Sequence, residues 1–248
     1  MLYYQPILIL LFGILPGLLW LFYYLRKDSH PEPKAMILKV FFYGVIITLP
    51  VFFIQIWLYQ LLSNNLSFQL FLDYPIIVDI IKWFFIIALT EETLKYIGLR
   101  FTVLKNSQLD EPIDLMIYMV IVAIGFASLE NVLYLSSPIN SLSFNVILQS
   151  NAKISLARFF SATLLHTLCS ALLGYFLALS FLRGKQKFLL TTTGIVIATG
   201  LHGLFDFSII KLPTPFNIII PTTIIIGLMV FVIYGFKELK KLKSICKV

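Results

Sequence analysis

The chain is short of charge, short of cysteine and without any polar stretch long enough to fold alone. Charged residues make up 12% of its 248 residues against 59% hydrophobic, with a mean hydropathy of +0.94. A soluble domain of this size needs a polar coat that such a composition does not supply, so the solvent it fits is lipid. Cys169 inside an apolar run and Cys246 in the tail give neither a CxxC pair nor a disulfide framework, which excludes thiol chemistry as the theme. HExxH is absent, so the common zinc-protease helix is excluded too. No internal repeat or low-complexity tract occurs. Met1 to Leu25 lacks a basic start and a small-residue cleavage pattern and reads as a retained span. The net charge of +7 sits in short clusters between apolar runs, where it reads as a topology signal and not as a nucleic-acid surface.

A helix that crosses the hydrocarbon layer needs about 20 mostly apolar residues. Seven segments qualify: Gln5 to Leu25, Met36 to Leu62, Trp83 to Leu104, Asp114 to Leu135, Leu156 to Leu182, Phe188 to Ile210, and Phe216 to Phe236. The expected fold is an all-α polytopic membrane bundle of about seven transmembrane helices, forming one integral-membrane domain over residues 1–248. Ser63 to Lys82 is ambiguous, since Tyr74 to Ile81 reads either as an interfacial piece or as an extension of the third helix. Basic loops are retained in the cytoplasm. On one side fall Arg26, Lys27, Lys34, Lys39, Arg100, Lys105, Arg183, Lys185, Lys187, Lys237, Lys240, Lys241, Lys243 and Lys247. The other side has Lys82, Lys153, Arg158 and Lys211, with Lys95 alone far from either end of a span. This asymmetry places the N-terminus outside and the C-terminus in the cytoplasm.

Ionisable groups within apolar spans are costly and are candidates for function. The third span carries Glu91, Glu92 and Lys95; the fourth, Glu130 and Asn131; the fifth, His166; the sixth, His202 and Asp206. Counting from the outer end of each helix at 1.5 Å per residue, Glu91 lies roughly 12 Å deep, Glu130 about 9 Å, His166 about 15 Å and His202 about 12 Å. Starting the third helix at Tyr74 moves Glu91 towards the inner leaflet. Neighbouring helices run in opposite directions, so a shared depth is not imposed by spacing and points to one site.

Glu91 and Lys95 stand four apart on one helix face, where an ion pair lowers the cost of burying both. Glu92 points about 100° away, so the two glutamates have different roles. His202 and Asp206 are also four apart, which lets the acid orient the imidazole or join it on a metal; Gly203 leaves room for a close neighbour. Two histidines with carboxylates suit zinc or a similar divalent ion, with a carboxylate beside water as general base. The same groups serve equally without metal, with a glutamate deprotonating water while histidine and asparagine donate to the oxyanion.

At these residues the sequence resembles the PrsW family of intramembrane proteases, part of the superfamily that includes CAAX-processing and bacteriocin-processing enzymes. The resemblance rests on Pro31-Glu32-Pro33, on Glu91, Glu92 and Lys95, on the Gly125 to Asn131 block ending near Tyr134, on His166, and on His202 with Asp206. His30 stands where that pattern has an acid. The resemblance implies a glutamate-dependent peptidase, in which Glu91, Glu92, Lys95, Glu130, Asn131, His166, His202 and Asp206 form the catalytic set. A divalent metal, zinc by type, is expected on His166, His202 and Glu130. The implied partners are the bilayer and a membrane-anchored protein cut near its extracytoplasmic side, such as an anti-sigma factor in stress signalling. The implied location is the cell membrane, a bacterial plasma membrane.

Other readings compete with this one. A proton-coupled transporter uses buried carboxylates and histidines as a relay, but typically shows repeated halves with broken helices, which this sequence lacks. A non-catalytic seven-span receptor or scaffold uses Glu130 and Asn131 as interhelical glue and His166 as a packing residue.

Overall fold

The computed structural model describes residues 4–26, 32–64, 74–104, 106, 109–136 and 143–242. Lys27, His30, Pro31, Lys105, Lys243, Cys246, Lys247 and the 65–73 part of the ambiguous segment lie outside the described residues. Among the described residues the chain is all helix, with no strand. The elements are α1 (Gln5–Leu25), α2 (Lys34–Ser63), α3 (Pro75–Ile80), a π-helical segment (Ile81–Ala88), α4 (Leu89–Thr102), α5 (Pro112–Leu135), α6 (Phe144–Phe160), α7 (Ala162–Leu182), a 3₁₀ turn (Gly184–Gln186), α8 (Lys187–Lys211) and α9 (Phe216–Leu239).

Among the described residues six helical runs are long and apolar enough to cross a membrane, α6 and α7 counting as one run. The third expected span is helical but not among them, because Asp79, Lys82, Glu91, Glu92, Lys95 and Arg100 crowd its segments. This makes the chain an all-α polytopic membrane bundle. From Pro75 on, the ambiguous stretch runs into the third helix: Ile81 and Leu89, at the two joints, keep right-handed helical dihedrals. Measured from Pro75, Glu91 stands roughly 24 Å along the rod at the α-helical rise, so the count of about 12 Å applies only from Trp83. The fifth span also begins differently. Leu156 to Phe160 belong to α6, the backbone breaks at Ser161 (φ −116°, ψ −99°), and α7 follows. Lys153 and Arg158 therefore ride on a helix and not in a loop.

The helix α5 is the axis of the bundle, buried from Pro112 to Ser128 and packed against α7, α2 and α1. Its lack of a polar face fits that position, since a helix enclosed on all sides has no water to meet. Gly125 of α5 and Gly44 of α2 set the closest approach: a Cβ on Gly125 would lie 2.1 Å from the Phe41 carbonyl oxygen, and one on Gly44 would lie 2.1 Å from that of Val122. Small residues bring backbones together where lipid tails offer no hydrophobic drive between helices. The outer faces of α1, α2 and α9 present Leu10, Phe53, Trp57, Ile218 and Val230 outward, the apolar surface that lipid requires.

Candidate active site

Four helices bring their polar groups to one place. The π-helical segment widens the turn just before Glu91, and the Thr90 hydroxyl bonds back to its carbonyls at Ile86 and Ile87. Gly203 of α8 meets this segment closely: a Cβ there would lie 2.8 Å from Phe84 Cδ1 and 3.0 Å from Phe84 Cα. The absence of that Cβ lets His202 reach Glu92.

The inner half of the cluster is sealed. Glu92 Oε1 lies 2.8 Å from Lys95 Nζ and 2.8 Å from His202 Nδ1, with none of its side chain accessible. Lys95 Nζ also lies 2.9 Å from His166 Nδ1 and 3.7 Å from Glu91 Oε2, and 4.6 Å from the centre of the Phe126 ring. The expected pairing of Lys95 with Glu91 is therefore present, but the shorter contact goes to Glu92. Burying an ammonium in hydrocarbon is tolerable only with such partners.

The outer half faces a cavity of about 450 Å³, whose polar lining is Gln55, Glu91, Glu130, Arg158, His166, His202 and Asp206. Gln55 Nε2 donates to Glu91 Oε1 at 3.1 Å. Glu91 Oε2 is buried and, among the described residues, has no hydrogen-bond donor. It lies 3.8 Å from His166 Nδ1 and 3.9 Å from His202 Nε2. Each imidazole is held from its other nitrogen by a carboxylate: His166 Nε2 lies 2.7 Å from Glu130 Oε2, and His202 Nδ1 bonds Glu92. Asp206 Oδ2 lies 3.3 Å from His202 Nε2, the i, i+4 contact expected from spacing.

Asn131 stands apart from the cavity. Its amide donates to Gly13 O (3.2 Å) and Thr163 Oγ1 (3.1 Å), and its oxygen accepts from Arg158 Nε. Arg158 in turn pairs with Glu130 through Nη2 at 2.9 Å, off the angle of a hydrogen bond. Of the sequence-derived set, Glu91, Glu130, His166, His202 and Asp206 line the cavity, Glu92 and Lys95 lie behind it, and Asn131 anchors its rim. Sequence reasoning missed Gln55 and Arg158. A lone glutamine in the apolar run Val51 to Leu58 was the available signal for the first; nothing local marked the second.

A model of the PrsW family of intramembrane metalloproteases matches residues 32–235. Proteins named Protease PrsW are similar along most of the chain. The one from Bacillus subtilis is 29% identical over 94% of this chain and 94% of its own. Those from Oceanobacillus iheyensis and Geobacillus kaustophilus are 29% and 26% identical, over 91% and 79% of this chain and 93% and 76% of theirs. No solved structure matches the chain.

The description of that family implies a metal ion, and the residues fit one. One ligand atom each from Glu91, His166 and His202 lie within 4.8 Å of one another. The two imidazoles braced by carboxylates are the donor type and outer bracing that divalent sites use, and the unpartnered Glu91 oxygen stands beside them. Glu130, also expected among the ligands, lies 2.7 Å from His166 Nε2 and 2.9 Å from Arg158 Nη2. A bundle built for lipid, with this cluster enclosed in it and a family match running through four-fifths of its length, settles the assignment: the chain belongs to the PrsW family of intramembrane metalloproteases and is a multi-pass membrane peptidase.

Proposed function

We propose that this peptidase hydrolyses a peptide bond of a membrane-anchored protein in the cavity beside Glu91, near the extracytoplasmic side of a bacterial plasma membrane. An anti-sigma factor in stress signalling is the substrate class that fits this role. The observation that carries the reading is Glu91 Oε2, an acceptor without a donor, facing two imidazoles at the head of a cavity. Gln55 holds the other carboxylate oxygen, which turns Oε2 to the open side.

In this reading Glu91 Oε2 takes the proton of the attacking water and later returns one to the leaving amine. A divalent ion, zinc by donor preference, would be held by His166 and His202, with Glu91 beside it as base and not as ligand, and would supply polarisation of the scissile carbonyl and a lowered pKa for water. Asp206 and Glu92 keep His202 in place, and Glu130 does the same for His166. Asn131 fixes Arg158, which keeps Glu130 on His166. Glu92 and Lys95 form a neutral frame behind the reacting groups. With ten of the fourteen clustered basic residues described and at helix ends away from the cavity, the positive-inside rule favours the N-terminus outside and the cavity on the outer face.

The test is cleavage of a purified single-span reporter by wild type and by Glu91→Ala, His166→Ala and His202→Ala. Each substitution is expected to lower kcat/KM by at least roughly a hundredfold. A chelator is expected to abolish wild-type cleavage, and added zinc to restore it. Normal processing by Glu91→Ala would sink the assignment of the base; cleavage indifferent to chelator would sink the metal.

A further inference from the structure

A second cavity of about 260 Å³ adjoins the catalytic one, between α2 and the π-helical segment. Phe52, Ile56, Tyr59 and Gln60 of α2 and Ile86 of the π segment wall it, and it shares Gln55 and Ile87 with the catalytic cavity. The two spaces thus meet at the side chain that holds Glu91. At the far end stands Lys82. Its ammonium lies 4.9 Å from the Trp83 ring centre and 6.0 Å from that of Tyr59. No carboxylate among the described residues pairs with it, whereas Lys211 at the same end of the bundle is paired with Asp79 at 2.8 Å.

A groove with apolar walls, a catalytic carboxylate at one end and an unpaired cation at the other has the polarity of a peptide subsite. We propose that this groove is a specificity subsite for the substrate chain: it takes a large apolar side chain next to the scissile bond and sets Lys82 against an acidic residue further along. Nine residues of helix separate Lys82 from Glu91, roughly 13 Å at 1.5 Å per residue. An extended peptide covers that distance in about four residues, so the acid sits about four residues from the cut, on one side only. Apolar contact in the groove supplies affinity and the charge supplies register. The alternative occupant, a phospholipid whose headgroup meets Lys82, would give no charge preference that depends on register along a peptide. The proposal rests on the peptidase reading above and adds to it which peptides are chosen.

The experiment uses the full chain in detergent and single-span reporter peptides in which one glutamate is walked residue by residue along each side of the cut. A matched set carries lysine in its place, and a further pair carries leucine or alanine next to the scissile bond. Wild type is expected to prefer the glutamate reporter at one register by roughly tenfold in kcat/KM. Lys82→Glu is expected to reverse that preference in favour of the lysine reporter at the same register. Ile56→Trp, which fills the groove from its open side, is expected to lower the leucine-over-alanine preference by roughly tenfold. If wild type cleaves and Glu91→Gln does not, yet Lys82→Glu leaves the charge preference unreversed, the subsite is overturned while the peptidase reading stands. If wild type and Glu91→Gln treat every reporter alike, it is the peptidase reading that has failed.

Discussion

Two adjacent glutamates with the same chemistry do different jobs because a step of 100° along a helix turns one inward and one towards the cavity. Glu92 is enclosed between Lys95 and His202. Each glutamate has one oxygen without a donor among the described residues, but Glu91 keeps 8% of its side chain accessible and lines the cavity, whereas Glu92 keeps none. Glu92→Gln leaves the Lys95 ammonium with its shortest partner neutralised, and breaking a buried pair by removing one charge costs about 3–5 kcal/mol. Glu91→Gln keeps the Glu92–Lys95 pair and Gln55 beside it. Thermal unfolding in detergent is therefore expected to show a large loss for Glu92→Gln and a small one for Glu91→Gln, while both lose cleavage. Equal melting temperatures would show that the two carboxylates are not divided into frame and reagent. At this scale the sequence was generous: each residue that lines or backs the cavity with a charge or an imidazole stood out against an apolar span, except Arg158. That arginine sits two residues into the expected fifth span and counts there only as a basic residue of the outer side.

The elements matter through how closely they approach. The π-helical segment and α8 meet at Gly203, and that contact places His202 Nδ1 2.8 Å from Glu92. A methyl group at 203 would collide with the Phe84 backbone as well as its ring, and such overpacking costs about 1–3 kcal/mol. Gly200, one turn earlier on the same helix, has nothing within 4 Å of where a Cβ would stand. Replacing a helix-interior glycine by alanine there gains roughly 0.5–1 kcal/mol. Gly203→Ala is thus expected to lower both the melting temperature and kcat/KM, and Gly200→Ala to leave activity intact with the melting temperature level or higher. The opposite ranking would remove the close-packed contact from the account. The sequence announced space at Gly203 but not the π segment that fills it. A widened turn leaves no mark in hydrophobic period, since its residues, Ile81 to Ala88, are as apolar as those of any α-helix. The break at Ser161 is silent for the same reason: backbone hydrogen bonds run across it from Ser161 to Ala157 and from Leu165 to Ser161, so the apolar run continues while the axis changes.

At the scale of the whole molecule, the two ends of the bundle differ in chemistry. Arg100, Lys185 and Lys187 gather around one shared hollow at one end. The catalytic cavity is lined instead by Tyr134 near the end of α5, Ile210 near the end of α8 and Trp83 early in the third rod, positions at the opposite ends of their helices. Basic clusters stay in the cytoplasm, so in the orientation proposed above the cavity opens outward and takes its water from that side, since polar lining at membrane depth is tolerated only around a wet cavity. Single cysteines at Tyr134 and Ile210, both exposed, placed in a chain with Cys169 and Cys246 replaced, are expected to react with a membrane-impermeant thiol reagent added to intact cells. A cysteine at Lys187 is expected to react only after the membrane is opened. Reaction at Tyr134 and Ile210 only after opening would turn the molecule over: the cavity would then face the cytoplasm, and cutting near the extracytoplasmic side would have to be abandoned even if Glu91 remained the base.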